Sequence, residues 1–429
     1  MKAKKTNSYI LFWLSQAISG LGSSMTSFAL IIWAYTQTGS AMTVSLLTFF
    51  YYLPYILVSI LAGSFVDKHK KKPIMLWTDL ASYICTMAVL LLLTLGRLEI
   101  WNIYIVNGII GVMNAFQSPA STVAVGMLVP KEKYEKVSGM NSFSNSLITI
   151  VTPMLAAFVS SFGGLVGVLL IDILSFSIAF ITLLFFIKIP EANEKEGRIK
   201  KQNLLDGCKD GFLFLRENKG LQYLMFSMAL MNFFSRLTYE NILPAMILSR
   251  SGGNNNVLGL VSGIIGVGGI LGAMVISLIQ LPKDKMKLIY YSAAFSFLFG
   301  DLLMGIGQNR YIWSMAALAA SVPVPFITAG QSVILYESIP VEMQGRIFAL
   351  RNAFQYFTIS IAILLGGALA DYVFEPFMQS TMKISLLLQK VVGAGDGSGM
   401  AVMFLCTGIL GFFTSIILYK KQSNEPFIK

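Results

Sequence analysis

Arg236 and Glu240 stand four residues apart inside an apolar run. On a helix that spacing puts both on one face. Asn232 extends the face one turn back, and Pro244 follows one turn on. A guanidinium and a carboxylate so placed can neutralise each other and let the helix insert. They can also line a cavity where Glu240 takes a proton or holds a cationic molecule. Spacing alone leaves both readings open. Asp172 is a second carboxylate within an apolar run, and Asp79 and Asp301 lie in two others. An ionisable group at membrane depth costs several kcal/mol unless paired or hydrated, so each is a functional candidate. His69 is the only histidine. A histidine-rich metal site and a serine-type triad are therefore excluded, and any proton carrier is a carboxylate. One proton moved through ~100 mV supplies ~2.3 kcal/mol, enough for a useful uphill gradient.

Other chemistries lack their residues. No Gly-x-x-x-x-Gly-Lys-Ser/Thr segment occurs, so ATP is not expected as the direct energy source. The glycine-rich stretch from Gly393 to Gly399 follows no strand and reads as a flexible connector. Cys85, Cys208 and Cys406 are far apart and odd in number, so no disulfide framework is suggested. No nucleophile, metal cluster or cofactor motif stands out. The chain is expected to be no enzyme, to need no cofactor and no metal, and to act as a monomer.

The elements that must hold these groups are set by composition. Charged residues are 12% of the 429, about half the usual ~25% of a soluble domain. Hydrophobic residues are 55%, and the mean hydropathy is +0.70. A soluble core cannot hide that much apolar surface, so the lipid bilayer is the expected solvent. Spanning it takes roughly 20 apolar residues. Such runs lie near 9–35, 41–66, 73–95, 101–128, 137–160 and 164–189, then near 221–248, 257–281, 288–307, 311–336, 346–372 and 400–420. This predicts an all-α membrane protein with twelve transmembrane helices in two pseudo-symmetric six-helix bundles, residues 1–189 and 221–429. Residues 190–220, rich in Lys, Glu and Asp, form the linker. The first run has no small-residue cleavage site and reads as a retained helix. The stretch from Phe374 to Val392 places Met378, Met382 and Leu386 at helical spacing, as for a short helix in the outer interface.

An even number of helices puts both termini on one side. With the N-terminus inside, 26 of the 32 Lys and Arg fall on inner segments and five outside, with Arg236 in a helix. The positive-inside rule then places both termini and the linker in the cytoplasm, in the cell membrane. The net charge of +11 is accounted for without nucleic acid. At a constant offset of 210, Pro130, Glu132, Lys136 and Asn145 match Pro340, Glu342, Arg346 and Gln355. A parallel six-helix repeat would produce that symmetry. Two such bundles suggest a pathway between them, opened alternately to each side.

The segment Gly63-Ser64-Phe65-Val66-Asp67-Lys68-His69-Lys70-Lys71-Lys72-Pro73 lies between the second and third runs. It resembles the loop signature of the major facilitator superfamily, Gly-x-x-x-Asp-(Arg/Lys)-x-Gly-(Arg/Lys)-(Arg/Lys). Gly63, Asp67, Lys68, Lys71 and Lys72 match, and Lys70 replaces a glycine. The Thr38-Gly39-Ser40-Ala41 turn, Leu53-Pro54-Tyr55, Ser118-Pro119-Ala120 and Gly345-Arg346-Ile347-Phe348 resemble the macrolide and multidrug efflux branch. The resemblance covers nearly the whole chain. It implies a proton-coupled antiporter that exports hydrophobic or amphipathic small molecules by alternating access. An importer or uncoupled facilitator of the same fold stays open, as does a membrane binding or sensor protein that no longer transports.

The resemblance also implies that runs 1, 4, 7 and 10 line the cavity. Gln16, Asn107, Asn114, Gln117, Asn232 and Gln331 are then the polar lining, among aromatic and Met residues. Such a lining suits bulky amphipathic molecules, although small polar residues also bind helices together. The Asp172 and Asp301 runs are both peripheral in the family, which favours a structural hydrogen-bonding role for Asp172 over titration and sets Asp301 aside for the same reason. Two family features are missing: an Arg in run 4, and the Gly of a Gly-Pro pair in run 5. Pro153 remains, and it removes a backbone hydrogen bond and should bend its helix. Asp79 is grouped with the loop charges near the inner end of run 3. Asp67 can face a helix N-terminus or a basic partner such as Arg346 or Arg351 and hold an inner gate shut. The loop lysines read as a topology signal. Asp67→Asn is expected to leave insertion unchanged and impair transport; unaltered transport at equal expression would refute the gate.

Overall fold

The computed structural model describes residues 2–129, 134–189, 213–278, 282–339 and 341–422. Its regular elements there are all helices. In lipid every backbone polar group must be satisfied within the segment, which favours helix throughout. The helices are α1 (Lys2–Thr38), α2 (Ala41–Lys68), α3 (Lys71–Thr94), α4 (Ile100–Leu128) and α5 (Tyr134–Ile181). Then follow α6 (Lys219–Tyr239), α7 (Ile242–Arg250), α8 (Asn255–Leu278), α9 (Lys285–Phe295), α10 (Leu302–Ile306) and α11 (Arg310–Ser321). The last are α12 (Val324–Ser338), α13 (Val341–Leu369), α14 (Glu375–Met378), α15 (Lys383–Val392) and α16 (Ser398–Gln422). The chain divides into two compact units, residues 1–39 with 46–197, and residues 40–45 with 198–429.

Among the described residues, nine helical segments are long and apolar enough to cross a membrane. The fifth and sixth expected runs fall together in one of these, Leu147–Phe186. That stretch contains Gly164, whose backbone (φ 57°, ψ −160°) is not helical and breaks α5. The fourth and seventh runs are not among the nine. Asn102, Asn107, Asn114 and Gln117 dilute the apolar character of α4. The seventh run is split between α6 and α7, with a turn at Glu240 and Asn241. Pro244 accounts for the split: it has no N–H to give the Glu240 carbonyl, and its ring crowds that oxygen. The tenth run divides likewise at Val322 and Pro323, one turn before the ring of Pro325.

Packing within each unit depends on glycines that admit a neighbouring backbone. A Cβ on Gly111 of α4 would lie 2.2 Å from the Tyr51 carbonyl oxygen of α2. On α8, Gly268 and Gly272 form a small-x-x-x-small pair. A Cβ there would lie 2.0 Å from Ser321 Oγ and 2.1 Å from the Val322 carbonyl oxygen. Such pairs let helices approach to backbone contact. Elsewhere α8 exposes Leu271, Met274, Val275 and Leu278, a surface suited to lipid. The short helix α15 also leaves Ile384, Leu387 and Val391 exposed. Gly272→Ala is expected to destabilise the second unit by about 1–3 kcal/mol through overpacking. Gly269→Ala, where nothing lies within 4 Å of the added atom, is the matched control. Thermal unfolding in detergent should separate the two, and equal midpoints would refute close packing at Gly272.

Candidate functional site

In the first unit Asp172 and Asp79 meet neutral partners. Asp172 is 4% exposed. Ser23 on α1 donates to its Oδ1 at 3.0 Å, and Thr86 on α3 to its Oδ2 at 3.4 Å. Gly22 makes room for this: a Cβ there would come within 3.0 Å of the Asp172 backbone. The expected grouping of Asp79 with the loop charges falls partly outside the described residues, since the side chains of Asp67 and Lys68 do. Asp79 Oδ1 accepts from the Gln117 amide of α4 at 2.9 Å, while Thr78 donates to the Gln117 carbonyl oxygen at 2.6 Å. Asn107 donates to the Leu47 carbonyl of α2 at 2.9 Å. Asn107 and Gln117 therefore each tie α4 to a neighbouring helix. Gln16 and Asn114 are half-buried. Pro153 lies inside α5, buried.

The loop signature is only partly described. The side chains of Gly63, Asp67, Lys68 and Arg346 fall outside the described residues, and with them the expected gate contact. Lys71 Nζ donates to the His69 carbonyl at 3.0 Å. Lys72 does more than mark topology. Its ammonium donates to the carbonyls of Leu184 and Ile187, at 2.9 and 2.8 Å. Those carbonyls stand at the end of the π-helical turn Thr182–Phe186, where no next helical turn can bond them.

In the second unit, Arg236 and Glu240 form the ion pair their spacing predicts, Nη1 donating to Oε2. Their side chains are 42% and 23% exposed, so the pair is open rather than sealed in packing. It sits where α6 ends and the Pro244 break begins. Asn232 turns back on the Met228 carbonyl of its own helix at 3.0 Å. Gln331 is buried on α12. A small cleft between α6 and α13, with room for about one water, is lined by Met225, Met228, Ala229, Arg351, Phe354 and Gln355.

Two further arrangements lie beyond what residue spacing implies. Asp371 accepts from Ser40 Oγ at 2.5 Å and from the backbone N–H groups of Ala41 and Met42 at 3.0 and 2.9 Å. It thereby caps the N-terminus of α2, whose first residues cluster with the second unit. The only local signal is Ser40, a fitting N-cap residue; the acidic partner is 330 residues away. Second, Glu375 accepts from the N–H groups of Gly397 and Met400 at the start of α16, at 3.3 and 2.9 Å. Arg250 beside it donates to the Val392 carbonyl at the end of α15. Together these fasten the connector that the glycine-rich segment serves.

Comparison with known proteins agrees with this architecture. The family model described as Major Facilitator Superfamily matches residues 12–363. Macrolide efflux protein A of Streptococcus pyogenes is 26% identical over 366 residues, covering 85% of this chain and 89% of that protein. Among solved structures, the nucleoside transporter NupG superposes with a TM-score of 0.70 at 11% identity, over 96% of this chain and 99% of that one. A bacterial homologue of the iron transporter ferroportin, in its inward-facing state, superposes with a TM-score of 0.69 at 14% identity, over 96% and 99%. The apolar spans, the helical fold and the family match lead to one conclusion: the chain is a multi-pass membrane transporter and belongs to the major facilitator superfamily.

Proposed function

We propose that this transporter exports hydrophobic or amphipathic small molecules of the macrolide and multidrug class in exchange for protons. The observation that carries the reading is the likeness to macrolide efflux protein A along 85% of the chain. The geometry of the second unit supports it. Glu240 is partly exposed, next to a break in a helix, and held by Arg236 four residues away. A carboxylate so placed can meet the amine of an amphipathic cation or exchange a proton in its place. Met225 and Met228 on α6 and Phe354 on α13 add apolar surface. Asp172 and Asp79 are further proton candidates, held by hydroxyl and amide groups rather than by cations.

The same reading gives twelve crossings in two halves, residues 1–189 and 221–429, joined by the cytoplasmic linker 190–220. Both termini are cytoplasmic in the cell membrane, as the 26-to-5 split of basic residues supports. The halves present the cavity to each side in turn. The protein works as a monomer, with the proton gradient rather than ATP as the energy source.

Inside-out vesicles with an imposed pH gradient test the exchange. A macrolide should accumulate when the interior is acidic and leak out when a protonophore is added. Accumulation that ignores the gradient would refute proton exchange, and binding without flux would refute transport. Glu240→Gln is expected to slow gradient-driven accumulation roughly tenfold or more, equivalent to about 1.4 kcal/mol in the barrier. Equilibrium binding of an uncharged macrolide analogue should change much less. Equal loss of both would instead assign Glu240 to folding.

A further inference from the structure

Asp301 ends the π-helical turn Ser296–Asp301 that joins α9 to α10. Single π turns within α-helices often mark functional positions. The residue is 1% exposed. Thr407 on α16 donates to its Oδ2 at 2.8 Å. The hydroxyl of Tyr239, the last residue of α6, is buried beside the carboxyl without meeting full hydrogen-bond geometry. Among the described residues the ion pair within 4 Å is Arg236 with Glu240, and Asp301 has none.

The surrounding elements bring no counter-charge. On α9, Lys285 and Lys287 stand fourteen or more positions before Asp301, roughly 20 Å by the ~1.5 Å rise. On α11, Ala320 packs against Gly300, and Arg310 lies ten positions earlier, roughly 15 Å away by the same rise. On α16, Lys420 and Lys421 lie roughly 20 Å beyond Thr407; the titratable neighbour there is the thiol of Cys406. α10 is Leu302–Ile306, without a charge. From α6 the facing group is the Tyr239 phenol.

An isolated carboxylate in such surroundings costs several kcal/mol unless something neutralises it. We propose that Asp301 is a proton-binding site of the second unit, and that Tyr239 relays its occupancy to the break between α6 and α7. The proposal rests on the proton-exchange reading above. One proton taken up turns the carboxylate into a neutral acid, whose O–H can donate to the Tyr239 oxygen. When the proton leaves, the Tyr239 O–H turns and donates to the carboxylate instead. The phenol changes from acceptor to donor with each cycle. Its backbone adjoins Glu240, where Pro244 has already removed the helical hydrogen bond, so a small shift there meets little resistance. Glu240 and Arg236, the open pair, lie one residue and one turn from it.

Infrared difference spectra of the protein in nanodiscs, taken across pH, read this site without any transport. A protonated-carboxyl stretch should titrate in the native protein and vanish in Asp301→Asn. Asp301→Glu should keep a titrating band at a displaced position, and Tyr239→Phe should keep the band but move its midpoint. In vesicles, Asp301→Asn should lose the dependence of macrolide movement on the pH gradient while downhill movement persists. A spectrum unchanged by Asp301→Asn overturns the site. So does a titrating band that Asp301→Glu leaves in place should Asp301→Asn fail to fold. If the native protein moves no macrolide yet the Asp301 band titrates, the efflux reading fails and the proton site stands. If the macrolide is exchanged for protons while the band is absent, the reverse holds.

Discussion

A charge inside hydrocarbon must find its compensation on the same chain, because no water is there to supply it. The interiors of both units are arranged around that constraint. Arg236 meets Glu240, Asp172 meets two hydroxyls, Asp79 meets an amide, and Lys72 meets the carbonyls left over at a π-helical end. Each compensation costs the chain a specific pairing between two places in sequence. Those that join different helices therefore also fix how one helix is rotated against another. Ser23 and Thr86 on Asp172 tie α1 and α3 to the second half of α5, and Gln117 ties α4 to α3. The polar groups are few, and the helix arrangement depends on them more than on the apolar side chains around them.

That dependence follows from how apolar the helices are. A helix hydrophobic on all sides has no preferred face toward its neighbours, and lipid tails satisfy leucine as well as another leucine does. Apolar burial therefore does not choose the rotation. Close backbone approach at Gly111, Gly268 and Gly272, together with the polar pairings, does choose it.

The same physics decides which features are legible in the amino-acid sequence and which are hidden. Runs of apolar residues mark helices because length alone matters to a bilayer. The break after Tyr239 is implicit in Pro244, whose effect reaches a fixed four residues back. The Arg236–Glu240 pair is legible because both partners lie on one helix, where geometry follows from spacing. Partners on different helices are hidden. Asp371 with Ala41 is a contact across 330 positions, and Thr407 with Asp301 one across 106. Nothing in an apolar run says which side faces which neighbour. The contact of Asp79 with Gln117, 38 positions on, is of the same hidden kind. The signal that finds such pairs is the isolated polar residue itself: in these runs, each one needs a partner.

The kind of partner also decides what a buried carboxyl can do. A carboxylate beside a guanidinium is held in one charge state, because removing its charge strands the cation. A hydroxyl imposes no such choice. It donates to a carboxylate and accepts from a carboxylic acid, so both states keep a hydrogen bond. Asp172, between Ser23 and Thr86, and Asp301, between Thr407 and Tyr239, are of the second kind. A carboxyl of the second kind can change its charge without breaking the packing around it, which is what the proposed exchange of protons for a cargo requires.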